Sequence, residues 1–388
     1  MNSFQELNLP KSLDRAIAGM NFTTPTPIQA QSIPVALSGR DILACAQTGS
    51  GKTAAFAIPI LSKLLEKPDQ TMLILVPTRE LSTQVTDVFR QLCFHAPSLR
   101  VVSLIGGVSM QPQLRALSKG YHVIVATPGR LVDHLERKSV SLQKLSMLVL
   151  DEADRMLDMG FAPQLKQIFR FLPKERQTLL FSATLPAHIQ ELANTLLKNP
   201  ARISIGAISS AVPTIQQSTK HVIQTEKNGA ILDEINTRQG SILIFGRTQR
   251  RVDRLAKYLA SYGVDTGRIH GGRTQGQRNR ALDDFRTEKT RVLVATDIAA
   301  RGIDIDHVAH VINYDLPQVA EDYVHRIGRT ARAGRKGEAL SLISAEEKPL
   351  WKEIEKLLKS KPGASPQKRA MDTEAQGKAT RPRIQPAQ

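Results

Sequence analysis

Three short stretches carry most of the side chains able to do chemistry. AQTGSGKT, residues 46–53, places two glycines, a lysine and a threonine directly after an apolar run. Gly49 and Gly51 let backbone N–H groups curl around a phosphate, Lys52 supplies a compact positive charge, and Thr53 supplies a hydroxyl for Mg2+. The phosphate-loop pattern G-x-x-x-x-G-K-[ST] is met except that Ala46 stands at its first glycine; Gln47, Thr48 and Ser50 complete the loop. VLDEAD, residues 149–154, ends another apolar run in Asp151 and Glu152. One acid there can hold the hydration shell of a metal ion while its neighbour activates a water. HRIGRTARAGR, residues 325–335, sets four arginines and a histidine in eleven positions. The first two stretches point to binding and cleavage of a nucleoside triphosphate; the third is basic enough either to hold a nucleic acid or to meet a phosphate.

The basic stretch has two readings. At about 100° per residue, His325, Arg329 and Arg332 form one helical stripe, with Arg326 to its side. Gly334 should end that helix and leave Arg335 outside it. A stripe can aim two guanidinium groups at one phosphate. The alternative is a solvated basic helix or a plain grip on nucleic acid.

The elements that must position these residues follow one rhythm. From residue 41 onwards, short β-branched runs alternate with helical stretches: DILACA, TMLILVP, LRVVSLIGG, HVIVATP, MLVLDEAD and QTLLFSAT read as strands. Near-continuous apolar strands with helical crossovers predict a parallel sheet covered on both faces. Strand carboxyl ends in such sheets face the ligand crevice, where the phosphate loop and Asp151 both fall. Residues 11–20 and 28–37 read as helices ahead of the first strand. The uncharged stretch 206–219 interrupts the rhythm and reads as a linker. SILIFGR, VDTGRIHG, TRVLVATD, HVINYD and EALSLIS then repeat it. The organisation expected is therefore a first α/β domain over 1–205, a linker over 206–219, a second α/β domain over 220–358, and a tail over 359–388. The tail carries almost no large apolar residues, and its composition predicts disorder.

Composition narrows the partners. The chain has 388 residues, a formal net charge of +17, 41 % hydrophobic and only 4 % aromatic residues. So basic a balance predicts a polyanion as partner, nucleic acid before an anionic membrane. Cys45 and Cys93 are the only cysteines, too few for a disulfide framework or a four-thiolate zinc site. No apolar run reaches the length of a membrane span, and the expectation is a soluble, cytoplasmic protein without a membrane partner.

With these motifs in one order, the chain resembles the DEAD-box ATP-dependent RNA helicases of superfamily 2, in particular the minimal bacterial-type members with a short basic tail. The likeness runs from Phe4 to about Ser344 and includes Asp151, Glu152, Ala153 and Asp154, the tetrad that names the family. It implies two tandem RecA-like domains with ATP and Mg2+ between them. FTTPTPIQ, residues 22–29, matches the adenine-reading Q motif, with Gln29 on the base and Phe4 as the upstream aromatic; Asn21 stands where the family usually has glycine and tolerates the same positive φ. The resemblance gives RNA-backbone contacts to Pro77, Thr78 and Arg79, to Gly106 and Gly107, and to Thr127, Pro128, Gly129 and Arg130. In the second unit it gives them to Arg247, Thr248, Gln275, Arg278 and Thr296. Ser182 and Thr184 match the motif that links ATP turnover to strand separation, together with Asp154. Asp304 would meet the ATP ribose, Arg329 and Arg332 the γ-phosphate, and His325 would link that site to the first domain's carboxylates. Ala331 replaces a glycine common in the family and suits a helix better.

The function implied is ATP-dependent separation of short RNA duplexes, or remodelling of RNA–protein complexes, without sequence preference. RNA would be gripped as a single strand or short duplex, mainly through phosphates and 2′-hydroxyls, because the matching motifs hold almost no aromatics on which bases could stack. Ribosome-assembly or RNA-decay proteins are the expected protein partners, and a monomer is the default. Two other readings share the motifs: a DNA-directed helicase on the same fold, and an RNA clamp that uses ATP only to lock. The tail cations Lys359, Lys361, Lys368, Arg369, Lys378, Arg381 and Arg383 serve either as a loose RNA tether or only as a solubilising tail.

Overall fold

The computed structural model describes residues 1–46, 49–205, 215–300, 308–331 and 337–359. Gln47, Thr48, Asp304, Arg332 and Arg335, most of the expected linker and nearly all of the tail lie outside them.

The first sheet has seven strands: β1 (Ile42–Cys45), β2 (Thr71–Leu75), β3 (Val101–Leu104), β4 (Val123–Ala126), β5 (Leu145–Leu150), β6 (Gln177–Ser182) and β7 (Ala201–Ser204). Their order is β3-β4-β2-β5-β6-β1-β7, and every pairing is parallel. The second sheet has six: β8 (Ile215–His221), β9 (Ser241–Phe245), β10 (Thr266–Ile269), β11 (Val292–Ala295), β12 (Val308–Asn313) and β13 (Gly337–Ile343). They run β10-β11-β9-β12-β13-β8, again all parallel.

The central strands explain the burial. Residues 72–75 are wholly buried, with Met72 and Ile74 packed on one face and Leu73 and Leu75 on the other. Helices therefore cover both faces, as parallel crossovers require. The two layers in the second domain repeat this around β9 and β11. A further cluster, with Tyr323 and Trp351 edge-on at 5.7 Å, closes that domain with the helix Lys348–Lys359. Among the described residues no helix is long and apolar enough to cross a membrane.

Two strands differ from the expectation. Ile215–His221 pairs with the whole of β13, so residues 215–219 belong to the second sheet rather than the linker, and that domain begins before residue 220. Only Ile215 and Gln217 are buried there, on alternate positions, so the strand shows no apolar run. β7, an edge strand with one buried residue, escapes notice for the same reason.

Candidate nucleotide site and nucleic-acid face

The phosphate loop leaves β1 and turns into the helix Lys52–Glu66. Gly49 and Gly51 take φ of 83° and 91°. A Cβ on Gly51 would lie 2.6 Å from Gln29 Nε2 and 3.0 Å from Thr26 Oγ1, so glycine is needed there for space as well as for φ. Gln29 joins two motifs. Its Oε1 accepts the Thr26 N–H at 2.9 Å, and its Nε2 donates to the Gly51 carbonyl at 3.1 Å. One N–H and one lone pair remain on that amide for a base edge. Lys52 is buried and donates to the Ala46 carbonyl oxygen at 2.9 Å. These groups line a cavity of about 690 Å³ with Phe22, Thr53, Asp151, Glu152 and, from the second domain, Arg286. Phe4 stands one layer behind: it is buried and stacked on Phe22 at 6.3 Å, and it is Phe22 that reaches the cavity. Asn21 has φ 56°, the left-handed conformation a glycine would take.

Asp151 follows β5, and its N–H continues the ladder to the Leu75 carbonyl at 3.0 Å. Burial pushes its carboxyl up to about 6, while Lys52 pulls the other way. Its Oδ1 is buried without a hydrogen-bond partner among the described residues. An orphaned carboxylate oxygen in a cavity that Thr53 also lines fits a hydrated Mg2+, which takes few protein ligands and relies on phosphates for the rest. Glu152 sits in the left-handed region at φ 55°, a strain of about 1–2 kcal/mol for a non-glycine residue. Its carboxylate is aimed by Arg155 at 3.1 Å, both side chains being buried.

Asp154 is the hub. Its Oδ2 accepts the Ala183 N–H at 3.0 Å, the Thr184 N–H at 2.9 Å and the Thr184 hydroxyl at 3.0 Å, while Oδ1 accepts the Arg155 N–H at 3.0 Å. Ser182 donates its hydroxyl to the Thr184 carbonyl at 2.7 Å, and its own carbonyl takes the Ala46 N–H at 2.9 Å. The segment 182–184 thus touches the phosphate loop and the acidic tetrad at once. Across an interdomain cavity of about 1030 Å³, Thr184 shares the lining with His325, Arg247, Thr248 and Thr296.

The basic stretch departs from its expected geometry. The helix runs only over Ala320–Ile327, with Gly328 as its cap. Thr330 donates to the Val308 carbonyl at 2.6 Å, which draws the chain onto β12, and Ala331 turns with φ 57°. The helical stripe that begins with His325 ends at Ile327, and Ala331 is not helical; it occupies a left-handed position that favours glycine. Arg326 is a buried strut. It grips Asp297 at 2.5 and 2.6 Å, Asn313 at 3.0 Å and the Asp315 carbonyl at 2.6 Å, and it covers the Phe245 ring at 5.0 Å. Arg329 is buried too, with Nε on the His325 carbonyl at 3.2 Å.

Three of the residues expected to contact nucleic acid, Arg79, Gln275 and Arg278, meet at Glu80, a residue that sequence reasoning missed. Thr78 caps the helix Arg79–Leu92, and Pro77 is buried beneath it. Glu80 is 4 % exposed, and its Oε1 accepts Gln275 Nε2 and Arg278 Nη2 of the second domain, each at 2.9 Å. Arg79 reaches Gln275 at 3.4 Å and lies flat on Gly107, where a Cβ would fall 1.8 Å from its Nη1. Gly106 stands beside it. Thr127, Pro128 and Gly129 open the helix Pro128–Glu136, and Arg130 donates to the Val108 carbonyl at 3.1 Å. Arg247 is held by Glu347 at 3.0 Å, which in turn binds the fully buried Lys227 at 2.5 Å. Glu80 had one signal, an acid set among presumed RNA-binding cations; Glu347 and Lys227 had none.

A DEAD/DEAH box helicase family model matches residues 26–192, and a helicase conserved C-terminal domain model matches 226–334. The ATP-dependent rRNA helicase RRP3 of Gibberella zeae is 45 % identical over 363 residues, 92 % of this chain and 74 % of that protein. The DEAD-box ATP-dependent RNA helicase CshA of Bacillus licheniformis is 44 % identical over 361 residues, again 92 % and 74 %. Among solved structures, S. cerevisiae Dbp5 bound to RNA and ADP BeF3 aligns with a TM-score of 0.84 at 32 % identity, covering 94 % of each chain. The DEAD-box helicase Mss116 bound to ssRNA and UDP-BeF aligns at 0.85 and 30 % identity, covering 96 % of this chain and 80 % of that one.

Proposed function

The chain belongs to the DEAD-box family of ATP-dependent RNA helicases, and on that premise we propose that its two domains close on ATP and RNA together, with Asp154 as the link between the two ligands. It couples ATP hydrolysis to the unwinding or remodelling of RNA. The observation that carries the linking role is the triple acceptance at Asp154 Oδ2, which ties the acidic tetrad to Thr184 on the wall of the interdomain cavity.

Residue by residue, the loop 46–53 wraps the phosphates, with Lys52 leaving the Ala46 carbonyl to meet the outer ones. Gln29 and Phe22 read the base, Phe4 backs Phe22, and Asp304 holds the ribose. Thr53 and Asp151 would hold Mg2+, partly through water; when bound, the ion offsets charge on the phosphates. Glu152, aimed by Arg155, orients the attacking water and accepts its proton. Arg329 and Arg332 approach the γ-phosphate from the second domain, a contribution worth roughly 10³–10⁵ in rate in other nucleotide hydrolases. His325 passes closure to Thr184 and Asp154. Arg79, Gln275 and Arg278 bring RNA-gripping groups of both domains to one face, with Arg130, Arg247, Thr248 and Thr296 extending it. Likeness over more than nine-tenths of the chain to RNA- and nucleotide-bound neighbours supports reading this arrangement as the closed one.

The relatives named as rRNA helicases support ribosomal RNA as substrate and ribosome-assembly proteins as company, with the enzyme acting as a cytoplasmic monomer. The test is ATP turnover measured with RNA, with DNA of equal length and with neither. Stimulation by RNA alone is expected, and equal rates in all three would refute the reading.

A further inference from the structure

The RNA-facing motifs lack aromatics, yet the helix that starts in them ends in two. The helix Gln249–Ser261 buries Val252, Leu255, Ala256 and Leu259, and Tyr262 caps it. Arg250, Arg254, Tyr258 and Tyr262 follow at i, i+4 spacing; Arg250, Arg254 and Tyr262 are exposed, while Tyr258 is half-buried against the core cluster of the second domain. That spacing makes one continuous ridge, with Lys257 beside Arg254. Tyr262 is 60 % exposed, and its ring lies 4.9 Å from that of Tyr258.

The carboxylate of Asp233 acts on the ridge at Tyr258. Arg250, Arg254 and Lys257 are exposed and form no ion pair among the described residues. The charges nearest in sequence are spent elsewhere: Asp253 is taken by Arg268 at 2.9 Å and His270 at 3.1 Å, and Arg251 by Asp315 at 2.7 Å. A merely solvated helix face accounts for the cations, and core packing accounts for Tyr258, but neither accounts for the exposed Tyr262 ring set against it. Cations that track a phosphate backbone, ending on rings that take bases of any identity, are the composition of a single-strand platform.

Position supplies the direction. Arg247, Thr248 and Gln249 line the interdomain cavity together with Thr296, so the helix begins inside the RNA site. From Arg250 to Tyr262 it leads outward by about 18 Å. We propose that the ridge Arg250–Arg254–Lys257–Tyr258–Tyr262 is an auxiliary site for the single-stranded RNA flank that leaves the interdomain site. The phosphates would lie on the cations, and an unpaired base would stack on the tyrosine pair. This rests on the RNA-helicase reading and adds to it a preference for substrates with a single-stranded extension.

The test uses the full chain with a non-hydrolysable ATP analogue and two oligouridylates, one filling only the interdomain site and one long enough to pass Tyr262. Wild type should bind the long strand more tightly. Tyr262→Ala should lose about fivefold of that gain, the lower end of the cost of one base–aromatic stack. Arg254→Ala combined with Lys257→Ala should lower the slope of log affinity against log salt by about 1.4 on the long strand. Short-strand affinity and short-strand ATP turnover should stay at wild-type values for all variants. Equal long-strand affinity in wild type and variants overturns the auxiliary site while leaving the helicase reading standing. Equal losses on both strands overturn it as well. A wild type whose turnover ignores RNA overturns the parent reading, and this site with it.

Discussion

Asp154→Asn replaces one carboxylate oxygen with an NH2 group and tests the link between nucleotide and RNA. Three donors meet Oδ2 at 2.9–3.0 Å, two of them backbone N–H groups that cannot turn away, and a fourth meets Oδ1. An amide offers one acceptor oxygen. With its NH2 towards residues 183–184 it opposes two fixed donors; flipped, it opposes the Arg155 N–H. Either way the side chain, 3 % exposed, leaves at least one buried donor unsatisfied and removes charge assistance from the rest. The expected loss is about 2–4 kcal/mol. A domain stable by about 5–15 kcal/mol survives that, so the variant should remain folded. Urea denaturation reads the stability term, and ATP consumed per duplex separated reads the coupling. That ratio should rise in the variant, because turnover no longer moves the 182–184 segment reliably. Thr184→Ala removes one of the same contacts, so the pair should be non-additive in a double-mutant cycle. Wild-type stability with an unchanged ATP-to-unwinding ratio would refute the role given to Asp154.

Three further outcomes follow from single residues. Asp151 holds its proton up to about 6 against an ordinary 3.8 because it is buried. The folded chain therefore binds this proton more tightly than the unfolded one, and the group by itself makes stability fall as pH rises from 3.8 to about 6. Activity runs the other way: kcat/KM for ATP should fall as pH drops through about 6, and a profile without that inflection would count against Asp151 as the metal-shell acid. Gly107→Ala drives a Cβ to 1.8 Å from Arg79 Nη1, so RNA affinity should fall while KM for ATP without RNA holds; unchanged RNA binding would remove Arg79 from the contact set. Ala331→Gly relieves φ 57° and should raise the unfolding free energy by about 1 kcal/mol, read by denaturant titration; destabilisation would show that Ala331 does not need its left-handed turn.

Much of the site could be read locally because each motif is a strand end, a tight turn and a helix start within a few residues. The glycines of the phosphate loop, the acids at the end of β5 and the positive φ allowed by Asn21 depend on near neighbours, and alternating apolar runs announce the parallel sheets. Edge strands β7 and β8 escaped because their burial alternates along polar sequence. The sequence by itself determined the chemistry: nucleotide binding, ATP hydrolysis, a polyanionic partner. Only the tertiary structure decided how those parts are joined. Asp154 and Thr184 stand thirty residues apart in sequence, and Glu80 and Arg278 lie in different domains, yet both pairs meet within 3.0 Å. Arg326, outwardly one more RNA-binding arginine, is buried on Asp297, and the helix expected through residue 334 stops at Ile327 because Thr330 bonds to β12. Periodicity records which face of an element is apolar; the partners of buried polar groups come from distant segments and leave no periodic mark.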